Sequence, residues 1–298
     1  MTRVTGSSVP QEILLVRVPL KTFVRDQVRR NTERLGRPIR IARGYKEYAA
    51  RRALAESIPT AECWDVSSLS AEGYLIVPGM AAGVAELITA SRDKLAHAQN
   101  LPQSRNKAFF SQLLEAGDRG LDTIFTRFAL TDKVLNTTAR YLGVAPFLES
   151  VELLYSKPVQ GPPAQSQQWH KDRTDRKILK VFVYINDVTP KHGPLSLLPR
   201  SQSEKVPEFL FHYLTDDEMA RYADLSKVVA LTGAAGTTIL IDTQTSYHLG
   251  SRCQEPRLAY VAYFSSGFGY RARETRWIVD PAALSPLSPL QRYALGAS

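Results

Sequence analysis

The feature that most constrains the fold is a series of short β-rich runs in the second half of the chain. Clusters of Pro, Gly, Asp and Ser separate these runs, which comprise residues 151–155, 179–185, 195–198, 227–231, 237–241 and 258–264. Several short strands with turn signals between them predict an all-β barrel or sandwich.

The first half of the chain has mainly helical periodicity. The pattern predicts a helix from Asp26 to Leu54 that is broken around residues 36–38, and a second helix over residues 82–99. A short strand is predicted at residues 73–79, where a turn signal follows it. We therefore predict an α+β protein, with a helical first half packed outside a β-core of about residues 150–270.

The positive charge is concentrated at the N-terminus. Residues 1–60 hold thirteen Lys and Arg against five Asp and Glu, and so carry +8 of the net charge of +9. We divide the chain into a basic helical N-terminal arm, residues 1–60, and a single domain, residues 61–298. The arm is expected to contact an anionic substrate or another subunit, with a solvated helical face as the alternative. Nucleic acid is disfavoured because no aromatic stacking ladder interleaves the arginines and no zinc-finger or RNP-like motif occurs.

Several classes of protein are excluded by what the sequence lacks. No apolar stretch approaches the ~18 residues of a membrane span. The two cysteines, Cys63 and Cys253, cannot form a disulfide framework, which favours the reducing cytoplasm. No Gly-x-Ser-x-Gly elbow of a serine hydrolase occurs. The glycine-rich residues 233–236 precede a strand and lack the Lys-Ser/Thr of a phosphate-binding loop.

A candidate metal site lies among the predicted strands. His170 and Asp172 are two residues apart, so an extended segment projects both side chains to one face. His248 follows the predicted strand at residues 237–241. Two imidazoles and one carboxylate on one face of an octahedral cation form the triad of non-haem Fe(II) oxygenases. Nine residues after His248 comes Arg257, whose guanidinium can bind a carboxylate through two hydrogen bonds.

These residues and their surroundings resemble the 2-oxoglutarate-dependent oxygenases, most closely the phytanoyl-CoA dioxygenase family. The resemblance extends over about residues 70–270 and includes the Gln-Trp-His-Lys-Asp run at 168–172, the Gly-Pro-Leu run at 193–195 and the His-Leu-Gly-Ser run at 248–251. The chain departs from the family at Arg200-Ser201-Gln202, where many members have Gly-Ser-His. This loop borders the entrance, so the departure bears on substrate preference.

The resemblance implies a double-stranded β-helix, of the jelly-roll or cupin-like type, that uses Fe(II), 2-oxoglutarate and O2. It implies hydroxylation of a small-molecule substrate with release of succinate and CO2. The iron ligands would be His170, Asp172 and His248, and Arg257 would bind the far carboxylate of 2-oxoglutarate, with Arg252 as the alternative. A catalytically silent binding protein and a cupin-like metalloenzyme without 2-oxoglutarate are the two other readings.

Further residues are candidates for the cofactor and substrate pocket. Lys180 and Tyr184 share strand parity, so both are candidates to bind 2-oxoglutarate, with an outward-facing pair as the alternative. The candidates for the substrate pocket are Gln168, Tyr155, Phe209 and Phe211. Trp169 is adjacent to a ligand but has the opposite parity, which predicts a core position. We expect the arm and the segment 201–227 to cover the mouth and select the substrate.

Overall fold

The β-rich runs form two antiparallel sheets. The computed structural model describes residues 20–98, 109–208, 213–269, 277 and 280–297. Its strands are β1 (Tyr74–Ile76), β2 (Phe110–Gln112), β3 (Phe147–Ser156), β4 (Ile178–Tyr184), β5 (Leu195–Leu197), β6 (Val229–Leu231), β7 (Thr238–Asp242), β8 (His248–Leu249) and β9 (Arg257–Ser265). The larger sheet has the order β1-β7-β4-β9-β3-β2, and the smaller sheet has the order β6-β5-β8.

Helices account for most of the first half and recur near the C-terminus. They are α1 (Leu20–Arg43), α2 (Tyr45–Ser57), α3 (Ser67–Glu72), α4 (Val84–Ala96), α5 (Ile124–Ala129), α6 (Asp132–Leu142), α7 (Arg200–Ser203), α8 (Asp216–Met219), α9 (Pro281–Leu284) and α10 (Pro289–Ala294). The prediction of an α+β protein is therefore confirmed. Among the described residues, no helix has both the length and the apolar character that crossing a membrane requires.

The two faces of the larger sheet contact different partners. On one face, Val181 and Val183 of β4 and Tyr260 of β9 pack against helical side chains such as Phe128 of α5 and Leu135 of α6. This outer face and the helices α2 to α6 form the main hydrophobic core. The helical half thus covers one face of the sheet, because burying that face removes apolar surface from water.

The other face of the larger sheet is turned toward the smaller sheet. Tyr184 of β4, Ile241 of β7 and Ala259 of β9 form one buried cluster with Leu195 and Leu197 of β5. We call the space between the sheets the interior. Side chains alternate along a strand, so Lys180 shares the interior face with Tyr184, as parity predicted.

The helix break lies elsewhere than the sequence suggested. The break expected around residues 36–38 is wrong, because α1 continues through Pro38 to Arg43. The chain instead breaks at Gly44, where an added Cβ would lie 3.2 Å from the ring of Phe268. Proline removes only one backbone donor from a 24-residue helix, whereas the contact at Gly44 involves a residue more than 200 positions away.

Candidate metal centre

His170 and His248 are directly opposite each other in an antiparallel pair. The N–H of each donates to the carbonyl oxygen of the other at 3.0 Å. Opposed residues of an antiparallel pair project their side chains to the same face. The N–H of Asp172 donates to Thr243 O at 2.9 Å, which holds the extended segment beside the loop that precedes His248. The backbone therefore brings three ligand-type side chains to one place.

The three side chains form a cluster that has the composition of a metal site. Ligand atoms of His170, Asp172 and His248 all lie within 4.8 Å of one another. The two imidazole rings have centroids 4.2 Å apart, and Nε2 of His248 lies 3.9 Å from Oδ2 of Asp172. His248 is buried, and the other two side chains are partly exposed. The cluster is therefore open on one side.

Backbone carbonyls determine which nitrogen of each imidazole faces the cluster. Nδ1 of His170 lies 2.9 Å from Gln168 O, and Nδ1 of His248 lies 3.2 Å from Ser246 O. A carbonyl oxygen can only accept a hydrogen bond, so each Nδ1 carries the proton. Nε2 of each ring is therefore the nitrogen that carries the lone pair when the ring is neutral, which is the usual arrangement around a metal-binding histidine.

The charges in the cluster keep the carboxylate ionised and one imidazole neutral. Burial raises the pKa of Asp172, but the ammonium of Lys180, whose Nζ lies 2.7 Å from Oδ2, lowers it by more. The net result is a pKa well below the usual range for an aspartate. Burial, followed by the proximity of His170, lowers the pKa of His248 well below its usual value. Both protonation states are those that a metal ligand requires.

Arg257 lies on the interior side and is buried. Its Nη1 donates to Gly193 O, and its Nη2 donates to Ser251 Oγ at 2.8 Å. Its Nε is buried without a hydrogen-bond partner among the described residues. The competing candidate, Arg252, donates through both Nη atoms to the carboxylate of Asp216, at 2.7 and 3.0 Å. Arg257 is therefore the arginine that offers a buried donor to an anion.

Lys180 and Tyr184, the other two residues predicted to bind 2-oxoglutarate, both contact protein groups. Lys180 contacts Asp172, as described above. The hydroxyl of Tyr184 donates to Leu231 O at 2.6 Å and accepts from the N–H of Leu195 at 3.4 Å. Its proton is thus already engaged by the protein backbone.

The predicted pocket residues fall into three groups. Gln168 is half-buried next to His170 and accepts its Nδ1 proton through its carbonyl. The expectation for Tyr155 is corrected, because its ring packs against the helix-side core with Val151 and Leu153 of the same strand. Phe209 and Phe211 lie outside the described residues.

The aromatic residues that flank the cluster have distinct positions. Trp169 is buried in a second core cluster, as parity predicted, and its Nε1 donates to Asp216 Oδ1 at 2.8 Å. Tyr213, which lies within the segment 201–227 expected to cover the mouth, has its ring centroid 5.2 Å from that of His170.

Sequence reasoning missed a buried pair beside the centre. The hydroxyl of Tyr141 donates to Asp242 Oδ2 at 2.6 Å, and Asp242 is six residues before His248. The sequence could have pointed to Asp242, because a carboxylate directly follows the strand predicted at residues 237–241. Nothing in the sequence pointed to Tyr141, because it lies on α6, 101 positions away.

The fold of this chain is shared with solved structures. The apo crystal structure of EctD from S. alaskensis aligns with a TM-score of 0.52 and 21% identity, over 78% of this chain and 85% of that one. The structure of EctD from S. alaskensis with 2-oxoglutarate and 5-hydroxyectoine has the same TM-score and identity, over 71% and 77%. The iron-bound structure of that protein aligns with a TM-score of 0.50 and 20% identity, over 68% and 76%. No curated protein sequence matches the chain.

The sequence also matches a known family. Residues 69–250, more than half of the chain, match phytanoyl-CoA dioxygenase (PhyH). The matched residues include His170, Asp172 and His248, whereas Arg257 lies seven positions beyond them. The resemblance seen in the sequence is thereby confirmed, and the chain belongs to the phytanoyl-CoA dioxygenase family of Fe(II)- and 2-oxoglutarate-dependent oxygenases.

Proposed function

We propose that this chain hydroxylates a small molecule, with Fe(II) held by His170, Asp172 and His248. The observation that carries the proposal is the set of donors. In two imidazoles Nδ1 donates to a backbone carbonyl and leaves Nε2 for a metal, and a carboxylate lies beside them, with all ligand atoms within 4.8 Å of one another. Three ligands on one side leave coordination positions open for 2-oxoglutarate and O2. Iron bound there supplies the redox chemistry that couples decarboxylation of 2-oxoglutarate, to succinate and CO2, to oxidation of the substrate.

Arg257 is proposed to bind the far carboxylate of 2-oxoglutarate. Its guanidinium is held in place by Gly193 O and Ser251 Oγ, so little side-chain entropy is lost when an anion arrives. Nε, which is buried and has no partner in the part of the chain that the structure describes, supplies a donor that an anion would satisfy. The EctD structure described with 2-oxoglutarate and 5-hydroxyectoine supports both the co-substrate and the hydroxylation.

Lys180 and Tyr184 are proposed as secondary contacts of 2-oxoglutarate. Lys180 is bound to Asp172, so its role would be to balance negative charge near the iron rather than to anchor a carboxylate alone. The hydroxyl of Tyr184 donates to Leu231 O. Because 2-oxoglutarate has only acceptor oxygens, Tyr184 would have to exchange that hydrogen bond to donate to it. Both contacts are therefore secondary to Arg257.

The proposal extends to the surroundings of the site. The two facing sheets support the double-stranded β-helix. Residues 1–60 are proposed as the basic arm and residues 61–298 as the domain, with α2 of the arm packed into the main core. The free thiols of Cys63 and Cys253 support a cytoplasmic location. The segment 201–227 would select the substrate, since the ring of Tyr213 within it lies 5.2 Å from that of His170.

An anaerobic titration with Fe(II) and 2-oxoglutarate tests the proposed function. We expect a weak visible charge-transfer band that requires both additions and is lost in His170→Ala. A control variant, His97→Ala, removes an exposed histidine of the described structure and should keep the band. Folded protein that binds Fe(II) but never gives the band would favour the cupin-like alternative. Protein that binds no metal would favour the silent binding protein.

A further inference from the structure

The loop of residues 243–247 contributes no metal ligand, yet it contacts two of the three candidate ligands. The carbonyl oxygen of Thr243 accepts the N–H of Asp172 at 2.9 Å. The carbonyl oxygen of Ser246 lies 3.2 Å from Nδ1 of His248, whose proton it accepts. The shape of this loop therefore sets both the position of the carboxylate and the orientation of the imidazole.

The side chain of Asp242 determines the shape of this loop. Its Oδ1 accepts the N–H of Gln244 at 2.9 Å and the N–H of Thr245 at 3.2 Å. An aspartate whose carboxylate accepts the backbone N–H groups of the residues two and three positions further on holds the chain in a tight turn. Asp242 is fully buried, so these bonds do not compete with water.

The second carboxylate oxygen of Asp242 is held from the helical layer. The hydroxyl of Tyr141, on α6, donates to Oδ2 at 2.6 Å. Arg200 reinforces the contact, since its Nη2 lies 3.3 Å from both the hydroxyl of Tyr141 and Oγ1 of Thr245. The loop is thus connected to a helix on the outer face of the sheet and to the first residue of α7.

We propose that Asp242 is a positioning residue for the metal centre and that Tyr141 fixes its carboxylate. Hydrogen bonds link Tyr141 to Asp242, Asp242 to the loop 243–247, and the loop to Asp172 and His248. The inference rests on the proposed function, because it assigns a role in holding the metal that those two ligands would bind. Groups around metal ligands commonly alter metal affinity by about 10- to 100-fold when they are removed.

Two matched Tyr→Phe variants separate positioning from stability. Tyr141→Phe removes the hydroxyl that holds Asp242. Tyr260→Phe removes a buried hydroxyl that donates to Phe125 O at 2.5 Å, on the helix-side face of the sheet. Co(II) affinity is measured by anaerobic equilibrium dialysis, and the melting temperature of the metal-free protein is recorded for each variant. Both variants should lower the melting temperature, but only Tyr141→Phe should weaken Co(II) binding, by about 3- to 10-fold.

Substitutions of Asp242 provide a second test. Asp242→Asn keeps an oxygen that can accept the N–H groups of Gln244 and Thr245, whereas Asp242→Ala keeps none. We therefore expect Co(II) affinity to fall by about 10-fold or more in Asp242→Ala, with partial recovery in Asp242→Asn.

The controls distinguish failure of this inference from failure of the proposed function. Wild-type protein should bind Co(II) and His170→Ala should not. Wild-type affinity in both Tyr141→Phe and Asp242→Ala would overturn the positioning role while leaving the proposed function intact. Equal weakening by Tyr141→Phe and Tyr260→Phe would also overturn it, because the effect would then be general instability. Absence of Co(II) binding by the wild type would overturn both.

Discussion

Nζ of Lys180 lies 2.7 Å from Oδ2 of Asp172, the same oxygen that lies 3.9 Å from Nε2 of His248. The carboxylate therefore sits between a cation from β4 and an imidazole from β8. Lys180 lies eight residues after Asp172 on the next strand, whereas His248 lies 76 residues after it. The ion pair supplies the charge balance that lets the carboxylate stay ionised in a partly buried site.

This relationship predicts the behaviour of a charge-removal series. Asp172→Ala should abolish metal binding and destabilise the metal-free protein by about 1–3 kcal/mol, because Lys180 is left without its counter-charge. The double variant Asp172→Ala/Lys180→Met should recover much of the stability but none of the metal binding. Urea unfolding measures the stability, and Co(II) dialysis the metal affinity, of the wild type, the single variant and the double variant. Metal binding of wild-type strength in Asp172→Ala would remove Asp172 from the ligand set.

Replacing Arg257 should affect 2-oxoglutarate and leave the metal in place. Arg257→Lys keeps a positive charge but loses the planar arrangement of donors, so the affinity for 2-oxoglutarate should fall by about 1–3 kcal/mol. The dependence of the charge-transfer band on 2-oxoglutarate concentration measures the change, and Co(II) affinity should stay within about twofold. Arg252→Lys is the matched control, and an equal loss of 2-oxoglutarate affinity there would contradict the assignment.

The ion pair between Asp216 and Arg252 should make stability depend on pH in a defined window. Hydrogen bonds from Arg252 lower the pKa of Asp216 below its usual value. A lowered pKa in the folded protein means that the pair contributes above the unfolded pKa of about 3.9 and is lost as the pH falls through the folded value. Because both side chains are partly exposed, the contribution should be about 0.5–1 kcal/mol.

The variant Asp216→Asn tests this window, since its amide oxygen can still accept from Trp169. Urea unfolding should show the wild type more stable than the variant at pH 7. The difference should shrink as the pH drops below about 4. A difference that is constant from pH 7 to pH 3 would show that the charge of Asp216 contributes nothing.

The position of Tyr213 predicts an effect on substrate but not on cofactors. Its ring lies near that of His170, so Tyr213→Ala should change which compounds stimulate 2-oxoglutarate turnover. The affinities for Co(II) and 2-oxoglutarate should stay within about twofold, because the ring donates no ligand atom. Tyr45→Ala, an exposed tyrosine of α2, is the control. An unchanged preference in Tyr213→Ala, and also after exchange of segment 201–227 for that of a relative, would exclude this segment from substrate selection.

Much of the site could be predicted because its signals are local. The spacing of His170 and Asp172 places both side chains on one face of any extended segment. The strand parity of Lys180 and Tyr184 holds for the same reason, and both lie on the interior face. Parity alone could not say which face of β3 is the interior one, since both faces of this sheet are covered and the alternation of apolar and polar residues is lost. The misplacement of Tyr155 follows from that ambiguity.

Other features depended on contacts that no local pattern contains. The choice between Arg252 and Arg257 was open in the sequence, because both follow His248 closely. The structure favours Arg257, because Asp216 binds the guanidinium of Arg252 whereas Arg257 faces the interior. Likewise, the close approach of the Phe268 ring to Gly44, where the helix breaks, involves a residue more than 200 positions away.

The sequence by itself determined the elements and the ligand types: short strands after residue 150, helices before it, and a histidine–aspartate pair that any extended backbone presents on one face. Only the tertiary structure decided how those elements meet. It placed His248 opposite His170, Lys180 against Asp172, and Tyr141 against Asp242. The physical reason is that strand periodicity is a property of neighbouring residues, whereas pairing between distant segments depends on how both sheet faces are buried at once.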